Sequence, residues 1–256
     1  MSLQITDGDA VRTLTISNPG KKNALDGEIL EAMRDVLTRT AYESDVRVVV
    51  VQGADGDFSS GADVSTLGGG EHPMLKMRLT NEVATAISEL PQPVIAKVRG
   101  IVVGAACNLA LGCDFVVGDT TARFSQIFVK RGLSIDGGGS WLLPRIVGMR
   151  QAKRLALLGD MVEAQEALDL GLLTWLREPS ELDAFVEELA ARLVAGPPWG
   201  LAGTKALLNQ ATSLTFHDAL AAEAAWQITN FATDGPVAFE AFAAKQTPAF
   251  KGEFQA

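Results

Sequence analysis

The chain has 256 residues, 47% of them hydrophobic, enough to bury the core of one domain with a small appendage. Its net charge of −9 and pI near 4.8 work against general binding to nucleic acid or to an anionic membrane, so an anionic ligand must be met by locally placed Lys or Arg and by backbone N–H groups. No basic region followed by an apolar run opens the chain, no apolar stretch is long enough to span a bilayer, and Cys107 and Cys113 read as reduced packing residues, so a soluble, cytoplasmic protein is expected.

Val11 to Ser17 alternates polar and apolar residues, as a half-buried strand does. After a turn at Asn18-Pro19-Gly20, Leu25, Ile29, Met33 and Leu37 share one helical face. Val46 to Val51 is almost continuously β-branched, the pattern of a strand covered on both faces. A helix is expected from about Met74 to Leu90, broken by Pro91 and Pro93, then a buried strand over Val94 to Val98, a short helix after Gly104, and a strand over Phe115 to Val117. This βαβ rhythm predicts an α/β core with parallel strands. From Ser180 the pattern is wholly helical: Ser180 with Asp183 resembles a capping box, Gly196-Pro197-Pro198 ends that helix, and Thr215 with Asp218 opens a later one. The boundary between a core of residues 1–196 and a helical C-terminal region of residues 197–256 is placed near Gly196.

Two glycine-bearing turns lie where a strand hands over to a helix: Phe58-Ser-Ser-Gly61-Ala62-Asp63, and Arg99-Gly100 through Gly104-Ala105-Ala106-Cys107-Asn108. Small residues admit the close approach of another backbone or a ligand, and the N–H groups that open a helix lack intrahelical acceptors. Two such groups converging on one point make an oxyanion hole. The plain alternative is two ordinary strand-to-helix turns.

The order and spacing of several motifs carry a resemblance. Asn18-Pro19 with Lys22-Asn23-Ala24-Leu25, Phe58 to Asp63, Pro93 to Gly100 through Cys113-Asp114, Ala122 to Ser125, Gly132-Leu133, and Gly138-Gly139 through Leu143-Pro144-Arg145 follow one another as they do in the crotonase superfamily, the enoyl-CoA hydratase/isomerase family. Ala164 to Leu172 and Phe242-Ala-Ala-Lys245, with Pro248 and Phe250, continue the match, which spans nearly the whole chain.

The resemblance implies an α/β spiral of ββα turns whose C-terminal helices pack between subunits in a homotrimer or a dimer of trimers. It also implies an acyl-CoA thioester substrate, with no cofactor beyond the CoA that the substrate carries. Residue by residue, the N–H groups of Ala62 and Ala105 would hold the thioester oxygen. Ala105 departs from the usual Gly there, which a backbone donor should tolerate. The stretch Asp63, Val64, Ser65 and Thr66 would line the adenine and pantetheine path with backbone groups. Lys245 matches a position near the CoA phosphates, contributed across a subunit interface, and Phe242 one beside the adenine. A Lys near a C-terminus is otherwise a solvated charge.

Hydration of an enoyl thioester needs one group to take a proton from water and another to deliver a proton to the α carbon, and the hydratases of this family use two glutamates. Asn108 and Phe128 stand at those positions. Asn can hydrogen-bond a substrate or water but exchanges no proton near neutral pH, and Phe can do neither, so Asn108 and Phe128, with Trp141, are expected to contact the substrate without acid/base work. Asp136 lies eight residues after Phe128, and the run Asp136-Gly-Gly-Gly-Ser-Trp141-Leu-Leu-Pro-Arg145 resembles isomerase-type members, the phenylacetate-pathway epoxide-opening ones especially. One carboxylate suffices to move a double bond, and an apolar surround of Phe128, Ile135 and Trp141 would raise its pKa. The alternative for Asp136 is a cap on the turn before the glycines.

Three readings stay open: an acyl-CoA isomerase with Asp136 as proton shuttle, an enzyme in which Asp136 activates water or attacks as a nucleophile, and a non-catalytic acyl-CoA-binding protein. A serine hydrolase is disfavoured, since no Gly-x-Ser-x-Gly occurs and neither His72 nor His217 lies near a nucleophile motif. Two distant histidines provide no metal site. Gly68-Gly69-Gly70 lacks a dinucleotide fingerprint and reads as a flexible stretch admitting the acyl chain, with His72 a solvent-exposed bystander. Met74, Leu75, Met77, Leu79, Trp226 and Phe231 are candidates for core packing or for an acyl tunnel.

Overall fold

A computed structural model describes residues 2–67 and 72–254, so the expectation for Gly68-Gly69-Gly70 lies outside the described residues. Ser2–Gly8 (β1) and Val11–Ser17 (β2) form an antiparallel hairpin, with Gly8 opposite Val11. Its turn residues Asp9 and Ala10 take φ of 51° and 60°, the left-handed pair that a two-residue hairpin turn needs. The sequence expectations did not include β1: Leu3 and Ile5 alternate with Ser2, Gln4 and Thr6, but the run is short and nearly all of it is exposed.

Asp26 caps Gly27–Thr40 (α1) by accepting from the Ile29 N–H, and Ile29, Leu30, Met33, Val36 and Leu37 are its buried face. Val48–Gly53 (β3) begins two residues later than the β-branched run suggested. Val49 and Val51 enter one apolar core and Val48 and Val50 another, so the strand is covered on both faces. Val64–Leu67 (α2) and Pro73–Glu89 (α3) follow. His72 is exposed as expected, yet it is no bystander: its ring nitrogen accepts from the Met74 N–H and caps α3, with Pro73 opening the first turn.

Val94–Val98 (β4) continues into Ile101–Val103 (β5) and Ala105–Leu111 (α4); Phe115–Asp119 (β6) continues into Arg123–Ser125 (β7) and a 3-10 turn at Ile127–Arg131. Gly139–Leu158 (α5), interrupted at Gly148, then precedes Val162–Glu163 (β8), Ala164–Asp169 (α6) and Trp175–Arg177 (β9). The main sheet has the order β1-β2-β3-β4-β6-β9 and is parallel beyond its hairpin, while β5-β7-β8 form a second, smaller sheet. The chain passes from one sheet to the other at β4–β5 and again at β6–β7, and an isolated bridge from Ser59 to Val102 adds the segment after β3 to the second sheet. These are the ββα turns of the expected spiral.

Leu182–Val194 (α7), Pro198–Gln210 (α8), Phe216–Ala232 (α9) and Gly235–Ala244 (α10) complete the chain. α7 covers the outer face of the main sheet with Leu182, Val186, Leu189 and Ala190. The expected capping box at Ser180 and Asp183 is absent. Glu181 precedes α7 without a side-chain cap, because Asp183 instead pairs with Lys97 at 2.8 Å and with Arg99 at 3.0 Å. Thr215 does cap α9, accepting from the Asp218 N–H and donating to its carboxylate. Cys107 and Cys113 are free and buried; burial pushes the Cys107 thiol up to about 12 and raises that of Cys113 as well. Among the described residues no helix is long and apolar enough to cross a membrane.

Candidate active site

The first glycine turn is held from both sides. Phe58 and Ser59 donate their N–H groups to Arg99 and Ile101 carbonyls, and the Val103 N–H returns to Ser59. On the other side Leu25 donates to Gly61 and Asp63 donates to Leu25, at 2.8 and 2.7 Å. That ladder leaves the Ala62 N–H unused. Gly61, at φ +89°, lies so close to the second turn that a Cβ there would meet the Val103 carbonyl oxygen at 2.7 Å and stand 3.7 Å from the Ala105 nitrogen. Only glycine permits both the conformation and the approach.

In the second turn Gly104 takes φ +58°, and its N–H is bound by the Ser125 carbonyl. Ala105 therefore opens α4 with an N–H that has no intrahelical acceptor. Among the described residues neither the Ala62 nor the Ala105 N–H has a hydrogen-bond acceptor. Two uncommitted N–H groups on adjoining backbones are the donors an oxyanion requires.

The Asp136 loop abuts the same helix. A Cβ on Gly137 would lie 3.5 Å from the Asn108 Cβ, 3.8 Å from the Ala105 carbonyl oxygen and 3.9 Å from the Thr80 methyl of α3. Asp136 is half-buried, and its Oδ1 has no hydrogen-bond partner among the described residues. Desolvation pushes its carboxyl up to about 6. The carboxylate caps nothing through that oxygen, which is itself buried. Phe128 is buried, and its ring tip is 4.0 Å from where a Cβ on Gly104 would be, so it walls the start of α4 with hydrocarbon.

Asn108 is fully buried. Its Nδ2 donates to the Asp136 carbonyl at 2.8 Å, and its Oδ1 accepts from Gln126 Nε2 at 2.7 Å. The amide is thus committed on both sides within the chain. Asp63 is also buried, pairing with Lys21 at 2.6 Å and accepting from the Ser65 N–H and hydroxyl; the Lys21 ammonium, then Ser65, hold its carboxyl below the ordinary value. Val64 and Ser65 are exposed on α2, where Thr66 also lies.

Trp141 is partly exposed under the Arg145 guanidinium, 3.9 Å from its ring centroid. With Asn108, Gly137, Gly138, Leu142 and Trp226 it lines a 560 Å³ cavity between α3, α4, α5, α8 and α9. Met74 and Met77 belong instead to a surface groove beside α1, and Phe231 packs at a tilt against Phe239, ring centroids 6.1 Å apart. Phe242 and Lys245 lie exposed at the end of α10, and among the described residues no hydrogen bond or ion pair joins them to the two glycine turns. Sequence reasoning missed Lys21 and Gln126. Their partners Asp63 and Asn108 are 42 and 18 positions away, and no local pattern records such a pairing.

Residues 6–253 match the family model described as enoyl-CoA hydratase/isomerase. The 1,2-epoxyphenylacetyl-CoA isomerase of Escherichia coli (strain K12) is 32% identical over 250 residues, covering 95% of each chain. The short-chain-enoyl-CoA hydratase of Clostridium acetobutylicum is 34% identical over 218 residues, covering 83% of each. The crystal structure of an enoyl-CoA hydratase from Polaromonas sp. JS666 superposes with a TM-score of 0.92 at 33% identity, covering 97% of this chain and 99% of that one. The sequence motifs, the two-sheet spiral and these likenesses converge: the chain belongs to the enoyl-CoA hydratase/isomerase family of the crotonase superfamily and is an acyl-CoA enzyme.

Proposed function

We propose that the protein is an acyl-CoA isomerase in which Asp136 moves a proton between two carbons of a thioester acyl chain. The observation that carries this is the Asp136 carboxyl itself, half-buried, with one oxygen unpartnered and its pKa raised to about 6 by burial. At neutral pH it is mostly ionised and able to take a proton, yet it binds that proton more firmly than an exposed Asp. The carboxylate removes a proton beside the thioester carbonyl, the Ala62 and Ala105 N–H groups stabilise the enolate oxygen, and the acid returns the proton at another carbon. Asn108 and Phe128, the latter against the start of α4, offer no second acid or base. The scheme asks for no cofactor beyond the CoA of the substrate.

Asp136→Asn tests it. With enoyl, 3-enoyl and dienoyl thioesters, double-bond migration and exchange of substrate C–H for deuterium are expected to fall by at least about a thousandfold, while acyl-CoA binding persists. Full retained activity would sink the assignment. Because several relatives are named hydratases, water addition with Asp136 as base is the second reading; a 3-hydroxyacyl product rather than a shifted double bond would select it.

The same reading assigns the CoA end to Lys245 and Phe242 from a neighbouring copy, with the backbone of residues 63–66 along the path. Phe231, Phe239 and Phe242 are 58%, 61% and 86% exposed, and α9 and α10 bury no residue within the chain. Apolar faces of that kind call for cover. A trimer, single or paired, would supply it.

A further inference from the structure

We propose that Gln126 and Asn108 are positioning residues for Asp136, a buried amide relay that ties the loop bearing the carboxyl to the helix bearing the Ala105 N–H. The inference rests on the reading of Asp136 as the proton shuttle and extends it to two residues that touch no reacting atom.

The Asp136 carboxyl has little to steady it. Gly137 and Gly138 follow it at φ +56° and +82°, its Oδ1 is unpartnered, and it has no ion pair among the described residues. What is held is the main chain. The Asp136 carbonyl accepts from the Gly139 N–H at 2.9 Å, a local turn bond, and from Asn108 Nδ2 at 2.8 Å, a bond that reaches to α4. The second bond sets the Asp136 loop relative to the Ala105 N–H three residues before Asn108. It therefore sets base against oxyanion donor, the spacing on which proton transfer depends.

The Asn108 amide has one working orientation. Gln126 Nε2 donates to its Oδ1, so its Nδ2 is the atom left to face Asp136; a flipped amide would set donor against donor and carbonyl against carbonyl. Gln126 is 3% exposed and Asn108 0%, so water cannot take over either bond. Gly139 completes the seat, since a Cβ there would meet the Asn108 amide atoms at 2.3 to 2.6 Å. A carboxylate at position 108 would have no proton to give the Asp136 carbonyl. This accounts for an amide where the family's hydratases carry a glutamate.

Gln126→Leu, Asn108→Ala and the double variant test the relay in the full chain, with Asp136→Asn run in parallel. In Gln126→Leu, kcat is expected to fall roughly 10- to 100-fold with KM changed less than about twofold. The acid limb of the kcat/KM profile, which reports the free enzyme, should move down from about 6, because a loosened loop hydrates the Asp136 carboxyl. The double variant should be no worse than Asn108→Ala, since Gln126 acts through Asn108. Losses that multiply, or a normal kcat with an unmoved acid limb, would overturn the relay. If Asp136→Asn keeps full activity, the shuttle fails on its own, and the carbon-13 titration of the Asp136 carboxyl still decides the relay: a lowered midpoint in Gln126→Leu supports it and an unchanged one refutes it. Should Gln126→Leu not fold, Gly139→Ala, which displaces the Asn108 amide from outside, gives the same readings.

Discussion

Asp136 has its pKa raised by burial alone, and that has a consequence for stability separate from turnover. Its folded-state pKa of about 6 exceeds the ordinary carboxyl value of 3.8, so the native state holds the proton more tightly than the unfolded chain, and stability falls as pH rises between those values. Asp136→Asn removes the penalty. The variant should melt higher than the parent above pH 6, and the gap should close as pH falls toward 4, a comparison that scanning calorimetry across the range would make. Gly61 is the opposite kind of residue. Gly61→Ala forces a Cβ onto the Val103 carbonyl at 2.7 Å in a left-handed conformation, and a loss of about 2 kcal/mol or more in denaturant unfolding is expected, together with loss of turnover from the displaced Ala62 N–H.

Among the elements, α8 is fastened by one buried cation. Lys205, its side chain 8% exposed, pairs with Asp114 at 2.8 Å and donates to the Ile87 and Gln92 carbonyls, joining α8 to the end of α3 and the start of β4. Burial pushes the Asp114 carboxyl up, and Lys205 offsets only part of that. Lys205→Met should therefore leave a buried, uncompensated carboxylate and cost about 3 kcal/mol, with Asp114→Asn in the same chain recovering much of it in urea titrations. Such ties decide which local patterns mean what. The Thr215 and Asp218 pair was legible as a cap because α9 stands free at that end, whereas Asp183 was drawn off to Lys97 on the interior strand β4 and to Arg99 just beyond it. The valines of β3 were legible because burial on both faces asks for nothing but apolar bulk; β1 was not, because nearly all of it is exposed and its ties to β2, the backbone ladder and the Asp7–Arg12 ion pair, form only when the hairpin closes.

For the molecule as a whole, the proposed assembly makes a direct prediction. The purified protein should sediment as a trimer or hexamer, and Phe239→Glu, on the exposed face of α10, should shift it toward smaller species while leaving its circular dichroism nearly unchanged, because α10 buries none of its residues within the chain. If Lys245 reaches the CoA of a neighbouring copy, the same variant should also weaken acyl-CoA binding. A monomer with full affinity would count against both.

The sequence by itself determined the layered α/β core, the two glycine turns and the family, and singled out Asp136 as the candidate carboxylate, because periodicity, turn chemistry and motif order are written within short windows. Tertiary structure alone decided what surrounds them. That Asn108 spends its amide on Asp136 and Gln126, that Asp63 is neutralised by Lys21, and that the half-buried Asp136 keeps a buried, unpartnered carboxylate oxygen are facts of contact between distant segments. A side chain's partners, and with them its desolvation and pKa, are fixed only when the chain has closed around it.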